Sequence, residues 1–319
     1  MKHKMKKVSF VLILVLLLTI IFPIQAFAIS KQLDIPWRHQ WLNDNGYCGE
    51  LCIQSIALYY GTYISQYWAR EFADGEVIAG CEVDPPYGNA SDVYDLLKLN
   101  WTRWNYRQSE PQYKKFLNWT KDKLNKGYPV LFGAYLSDCD DEDFDHIIPA
   151  IGFNAASVNN YSDNDTITFY DNFTPAQSYT RTFGSFFDTR RMNRNGATYD
   201  LCLPKNVDYG DAITGIEDYY DECYPVKLAV NCNDEPNPDE GESPVNMAAT
   251  VTVSGLTVGN DYMLLRYDDT DDIPSYNFAD SVDDALSVIY FTATAATMTF
   301  NDTIWSDDLA VYRCCDAED

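Results

Sequence analysis

The sequence predicts two folded parts in series: an α+β domain with a mainly antiparallel sheet, then a small all-β sandwich. Three observations carry this. A single very apolar helical stretch, CGELCIQSIALYY, sits near the start; strand-like runs follow the helical ones instead of alternating with them; and past residue 206 short alternating runs are broken by Gly, Asn and Asp.

The elements follow in order. Lys2, Lys4, Lys6 and Lys7 precede an apolar run, 8–21, and Ala26-Phe27-Ala28 supplies a small-x-small cleavage pattern. Residues 1–28 are therefore expected to be a signal peptide, removed from a secreted protein with no membrane segment after cleavage. The turn formers Asn43-Asp44-Asn45-Gly46 lead into a helix starting at Cys48, with Gly61 placed to stop it. Its apolar residues occupy more than one stripe, so it belongs in the middle of a domain. After a Tyr- and Trp-rich polar region come expected helices over 91–99 and 112–125, then strands over 128–136, 146–153 and 166–170. This first domain is assigned to 31–206. The run NVDYGDAITGIEDYYDECYP marks the change of character, and 215–319, with AATVTVSGLTV and YMLLRY, is assigned to the sandwich. The acidic stretch 231–244, NCNDEPNPDEGESP, reads as a connection. No histidine occurs in the second part, so it is expected to be an accessory domain.

Composition narrows the function classes. The formal charge is −25, and removal of the four leader lysines leaves 19 basic against 48 acidic side chains, or −29. Such a surface repels nucleic acid and favours cationic ligands. All nine cysteines (Cys48, Cys52, Cys81, Cys139, Cys202, Cys223, Cys232, Cys314 and Cys315) follow the leader, where disulfides persist and where an odd count leaves one thiol over. Cys223 with Cys232 is a natural short loop, and the adjacent Cys314 and Cys315 are expected to have different partners. No pair of cysteines combines with histidines at zinc-like spacing, so no metal or organic cofactor is expected. Seven Asn-x-Ser/Thr sequons are present, and glycosylation stays open.

Cys48 is the candidate nucleophile, because a helix N-terminus stabilises a thiolate. A base must be in reach, and beyond the leader the only histidines are His39 and His146. His146 opens the apolar run HIIPAIGF and can be held rigidly by a strand, which makes it the better base. Asp171, ending the run TITFYD, is the candidate that orients the imidazole, with Asn172 beside it as fallback. Gln40 can join the Cys48 backbone N–H in holding an oxyanion. Cys52, one turn deeper, is the rival thiol. The acidic run SDCDDEDFDH before the strand is either a solvated loop or a selector of basic peptides.

HQWLNDNGYCGE, DHIIPAIGF and ITFYDN together resemble the Gln, Cys, His and Asp motifs of papain-like cysteine peptidases, most closely the C39-like peptidases, over roughly residues 33–205. The resemblance implies a central helix packed on an antiparallel sheet, with Gln40, Cys48, His146 and Asp171 as oxyanion donor, nucleophile, base and orienting carboxylate. It departs from the family at Glu50, where proline or a small residue is common, and in the long interval between His146 and Asp171. The implied substrate is a peptide or protein, basic ones being favoured. Two other readings stand beside it: a related amidase or transglutaminase-like acyl transferase, and a non-catalytic binding protein on the same scaffold, with a glycan or cell-surface ligand for the second domain.

Overall fold

The computed structural model describes residues 28–41, 46–75, 77, 90–104, 112–136, 146–170, 177–185, 190–194, 197–202, 209–231, 236–237 and 240–317. The architecture is mixed, with antiparallel sheets and few helices. Helix α1 (Cys48–Tyr59) is buried along almost its whole length, from Cys48 through Leu58, as its all-round apolar surface requires. Gly61, at φ +71°, follows where the sequence places the stop.

Three short elements come next. Strand β2 (Thr62–Ile64) and helix α2 (Gln66–Phe72) fill the Tyr/Trp-rich segment, and α3 (Ala90–Leu96) ends earlier than the expected 91–99. Lys98 takes a left-handed φ of +52° and turns the chain into β3 (Leu99–Arg103). Helix α4 (Tyr113–Lys126) closes on Gly127 at φ +94°, a left-handed C-cap that glycine adopts without strain.

Among the described residues the first sheet has nine strands. Its main path is β3-β10-β4-β5-β6-β7, formed by β4 (Val130–Leu136), β5 (His146–Ala155), β6 (Thr166–Tyr170), β7 (Ser178–Thr182) and β10 (Gly210–Ile216). Off this path, β1 (Ile29–Gln32) pairs with β5, and β9 (Ala197–Cys202) joins β4 to β8 (Arg190–Arg194). The pleat divides the sheet's side chains by parity. Leu131, Ile147 and Ile213 pack with Cys48, Cys52, Ile53 and Ile56 of α1, whereas Val130, Phe132, Ile148 and Ala212 pack with Phe116, Leu117 and Leu124 of α4.

A three-stranded sheet of β11 (Val226–Val230), β12 (Asn246–Ser254) and β15 (Thr297–Trp305) shares an apolar cluster with a four-stranded one. The latter holds β13 (Asp261–Tyr267), β14 (Ser287–Thr292), β16 (Leu309–Asp316) and, from the N-terminal half, β2. Met263, Leu265, Val311 and Cys315 belong to the same core cluster as Cys48 and Ile56. The first sheet thus extends past the expected boundary at 206, since β10 pairs with β3 and β4, and the second part is joined to the first by a strand and by a common core.

Ala28 apart, the expected signal peptide lies outside the described residues, as do Cys81, Cys139, Cys232 and the acidic run 138–145. No disulfide joins any two of the described cysteines, and no described helix is long and apolar enough to cross a membrane.

Candidate active site

Cys48 is the first residue of α1. No side chain caps the helix: Tyr47 holds the N-cap position, and the first turn closes through Leu51 N–H to the Tyr47 carbonyl at 3.1 Å. First-turn amides lack intrahelical acceptors and concentrate about half a positive charge, which favours a thiolate there.

Two neighbours fix this helix start. A Cβ on Gly49 would lie 2.4 Å from the Val77 carbonyl oxygen and 2.6 Å from Val77 Cγ1, so the backbone at Val77 passes too close for any other residue. Glu50 is buried, and its Oε1 accepts hydrogen bonds from Arg70 Nε at 2.8 Å and from Val77 N–H at 3.0 Å. Burial pushes its carboxyl up to about 7 against the opposing pull of Arg70. Arg70 also lies 3.5 Å above the Tyr47 ring and donates to the Gly46 carbonyl at 3.1 Å, clamping the turn ahead of the thiol. The charge of Glu50 is therefore engaged by α2.

The segment before the helix is strapped along it. Arg38 Nε donates to Gln54 Oε1 at 3.1 Å; Gln66 accepts from Trp41 N–H at 3.3 Å and donates to the His39 carbonyl at 2.9 Å. Trp41 packs edge-on against Tyr47, with ring centroids 4.9 Å apart. Gln40 lies between these anchors, beside the start of α1. It is buried, and its Oε1 has no hydrogen-bond partner among the described residues. Such an orphan in a native core calls for an explanation, and a group held for a ligand is one.

His146 is the first residue of β5 and is buried. Leu131 of β4 is paired with both Pro149 of β5 and Asp211 of β10, and Tyr60 Oη, at the end of α1, donates to the Ile213 carbonyl of β10. Cys48 shares a core cluster with Ile147, the residue after His146.

The Cys52 thiol is fully buried one turn deeper in α1. Burial, then the charges of Cys48 and Asp211, raise it well above the ordinary range. The orienting candidates Asp171 and Asn172 lie outside the described residues; β6, which they follow, is antiparallel to β5, so its end lies on the side where β5 begins.

Three residues near the site escaped sequence reading. Arg70 is separated from Glu50 by 20 positions and meets it only because α2 docks on α1. Asp211, wholly buried near Cys52, receives both Arg103 Nε and Nη2 at 2.8 Å. Arg103 is the third, and the Arg103–Asp211 pairing across β3 and β10 is invisible before the register is known. The available signal was a carboxylate in the first turn of an apolar helix, which requires a cation close by.

A thiol at a helix start, a buried imidazole opening a strand of the same core and a buried carboxamide are the kinds of group that acyl transfer uses. In comparison with known proteins, the chain matches no family model and no curated protein.

Proposed function

We propose that the protein is a cysteine peptidase built on the papain-like, C39-like plan that its motifs resemble. One observation carries the proposal: the helix-start thiol of Cys48 shares a core cluster with Ile147 of the strand that His146 opens. The Cys48 thiolate attacks a peptide carbonyl, and its proton, held on His146, passes to the leaving amine. The Cys48 N–H and the Gln40 side chain hold the oxyanion. Water, deprotonated by His146, then releases the acyl group and restores the thiol. Asp171 fixes the ring in this scheme. The acidic surface favours basic peptides, the route is export after leader cleavage, and the C-terminal sheets act as an accessory binding part.

The test is labelling of the full mature chain with a papain-type epoxide, followed by peptide mass spectrometry. Modification of Cys48 that is lost in His146→Ala, with peptide cleavage lost in Cys48→Ala, is the expected result. Cys48 that resists the epoxide while the chain is folded would overturn the reading in favour of a binding protein on the same scaffold. Labelling without cleavage of any peptide would point to the amidase or transferase chemistry.

A further inference from the structure

At the other end of α1, about 18 Å from Cys48 by helix length, lies a cavity of about 400 Å³. It sits where α1, β10 and β11 meet. In a chain with 48 acidic residues none of its lining residues is acidic, while Lys31, Lys126, Lys227 and Arg313 all contribute. The walls are otherwise aromatic, with five tyrosine rings (Tyr59, Tyr60, Tyr128, Tyr224 and Tyr312). The floor is opened by a register shift between Ile213 and Gly215: Gly215 adopts φ +148°, and a Cβ there would meet nothing within 4 Å.

Arg313 gives this cavity its chemical sense. It is wholly buried, yet among the described residues its hydrogen bonds run only to neutral oxygens: the Tyr60, Tyr312 and Leu97 carbonyls and the Thr62 hydroxyl, three of them as long as 3.4 Å. Among the described residues its Nε has no partner and no carboxylate stands at ion-pair distance. Asp218 acts on it only through space, because that carboxylate caps the backbone N–H groups of Tyr220, Glu222 and Cys223. Buried cations ordinarily have an anion beside them. The rim lysines are lightly held: Lys227 stands 3.5 Å from a carboxylate oxygen of the highly exposed Asp34, and Lys31 Nζ donates to the Asn125 carbonyl. Lys126 pairs with Asp122 at the surface.

We propose that this cavity binds a small organic anion, a single carboxylate or sulfonate head carried on a ring-sized apolar body. The head faces the cationic groups, replacing the exposed Asp34 at Lys227, and the body stacks among the tyrosines, with Tyr59 already lying under the Lys227 ammonium at 4.5 Å. The site is independent of the peptidase reading.

The experiment uses the full chain and two fluorescent probes, anilinonaphthalene sulfonate and its uncharged relative phenylnaphthylamine. The sulfonate should saturate one site per chain, bind at least about tenfold more tightly than the neutral probe, and weaken with added salt. Lys31→Gln with Lys227→Gln should weaken the sulfonate about tenfold, the sum of two partly exposed ion pairs, and leave the neutral probe unchanged. Arg313→Met should erase the preference for charge; should that variant fail to fold, the lysine pair alone decides. Equal affinity for the two probes, or sulfonate binding indifferent to the lysine changes, would overturn the proposal.

Discussion

At the scale of single residues, the start of α1 is held by contacts that substitutions can address one at a time. Gly49→Ala must displace the Val77 backbone, 2.4 Å from the new Cβ, and overpacking of this kind costs about 1–3 kcal/mol, to be read as a lower urea midpoint with unchanged slope. Glu50 supplies a pH dependence. Its carboxyl is raised in the folded state from 4.5 to about 7, so between those values the folded chain holds a proton that the unfolded chain has lost. Stability from this group is complete below pH 4.5 and falls as pH rises through 7, by about 3 kcal/mol in all. Glu50→Gln keeps an acceptor for Arg70 and Val77 and should flatten that slope in denaturation curves recorded from pH 4 to 8; an unchanged slope would assign it elsewhere. The placement of Cys48 and His146 was legible because a helix start and a strand start are local features, and α1 and β5 begin at these residues. Arg70 was not, because nothing in the sequence tells which cation will reach Glu50 until α2 has docked.

Legibility of the elements depended on clean periodicity. Helix α1 and strand β5 announce themselves through strongly apolar runs, and both begin where expected. The segment 62–72 has no such pattern: three strand residues are followed at once by a seven-residue helix, whose start is marked only by Ser65, its Oγ accepting from Trp68 N–H at 3.1 Å. Strand β10 was hidden differently. GDAITGI carries a buried Asp211 in mid-sheet, which reads as a turn residue until Arg103 is seen beside it. Asp211→Ala should therefore cost about 3–5 kcal/mol, the amount typical for stranding one member of a buried pair, where a linker residue would cost nothing measurable. Gly127→Ala is the milder counterpart: a Cβ at φ +94° at the end of α4 should destabilise by about 1 kcal/mol, seen as a small fall in Tm.

The whole molecule departs furthest from what the sequence suggests. Two parts in series are visible in composition, but β2, only three residues beyond α1, is an edge strand of the four-stranded sheet against β16, with Thr62 opposite Val311. Pairings across such separations leave no trace in local pattern. They do predict the outcome of truncation: a chain ending at residue 216 loses β13 and β16 from the core that contains Cys48. It should be poorly soluble and unreactive toward the epoxide at Cys48, whereas a dispensable accessory domain would leave labelling intact.

The contact between Arg313 and the carbonyl of Tyr60, at the end of α1, spans 253 positions of sequence. At about 5–20 residues per second of synthesis, roughly 10–50 s pass between the emergence of one partner and the other. Throughout that interval the helix carrying Cys48 lacks its far wall. Connectivity alone thus delays closure of the core around α1 until the strands that complete it have been made.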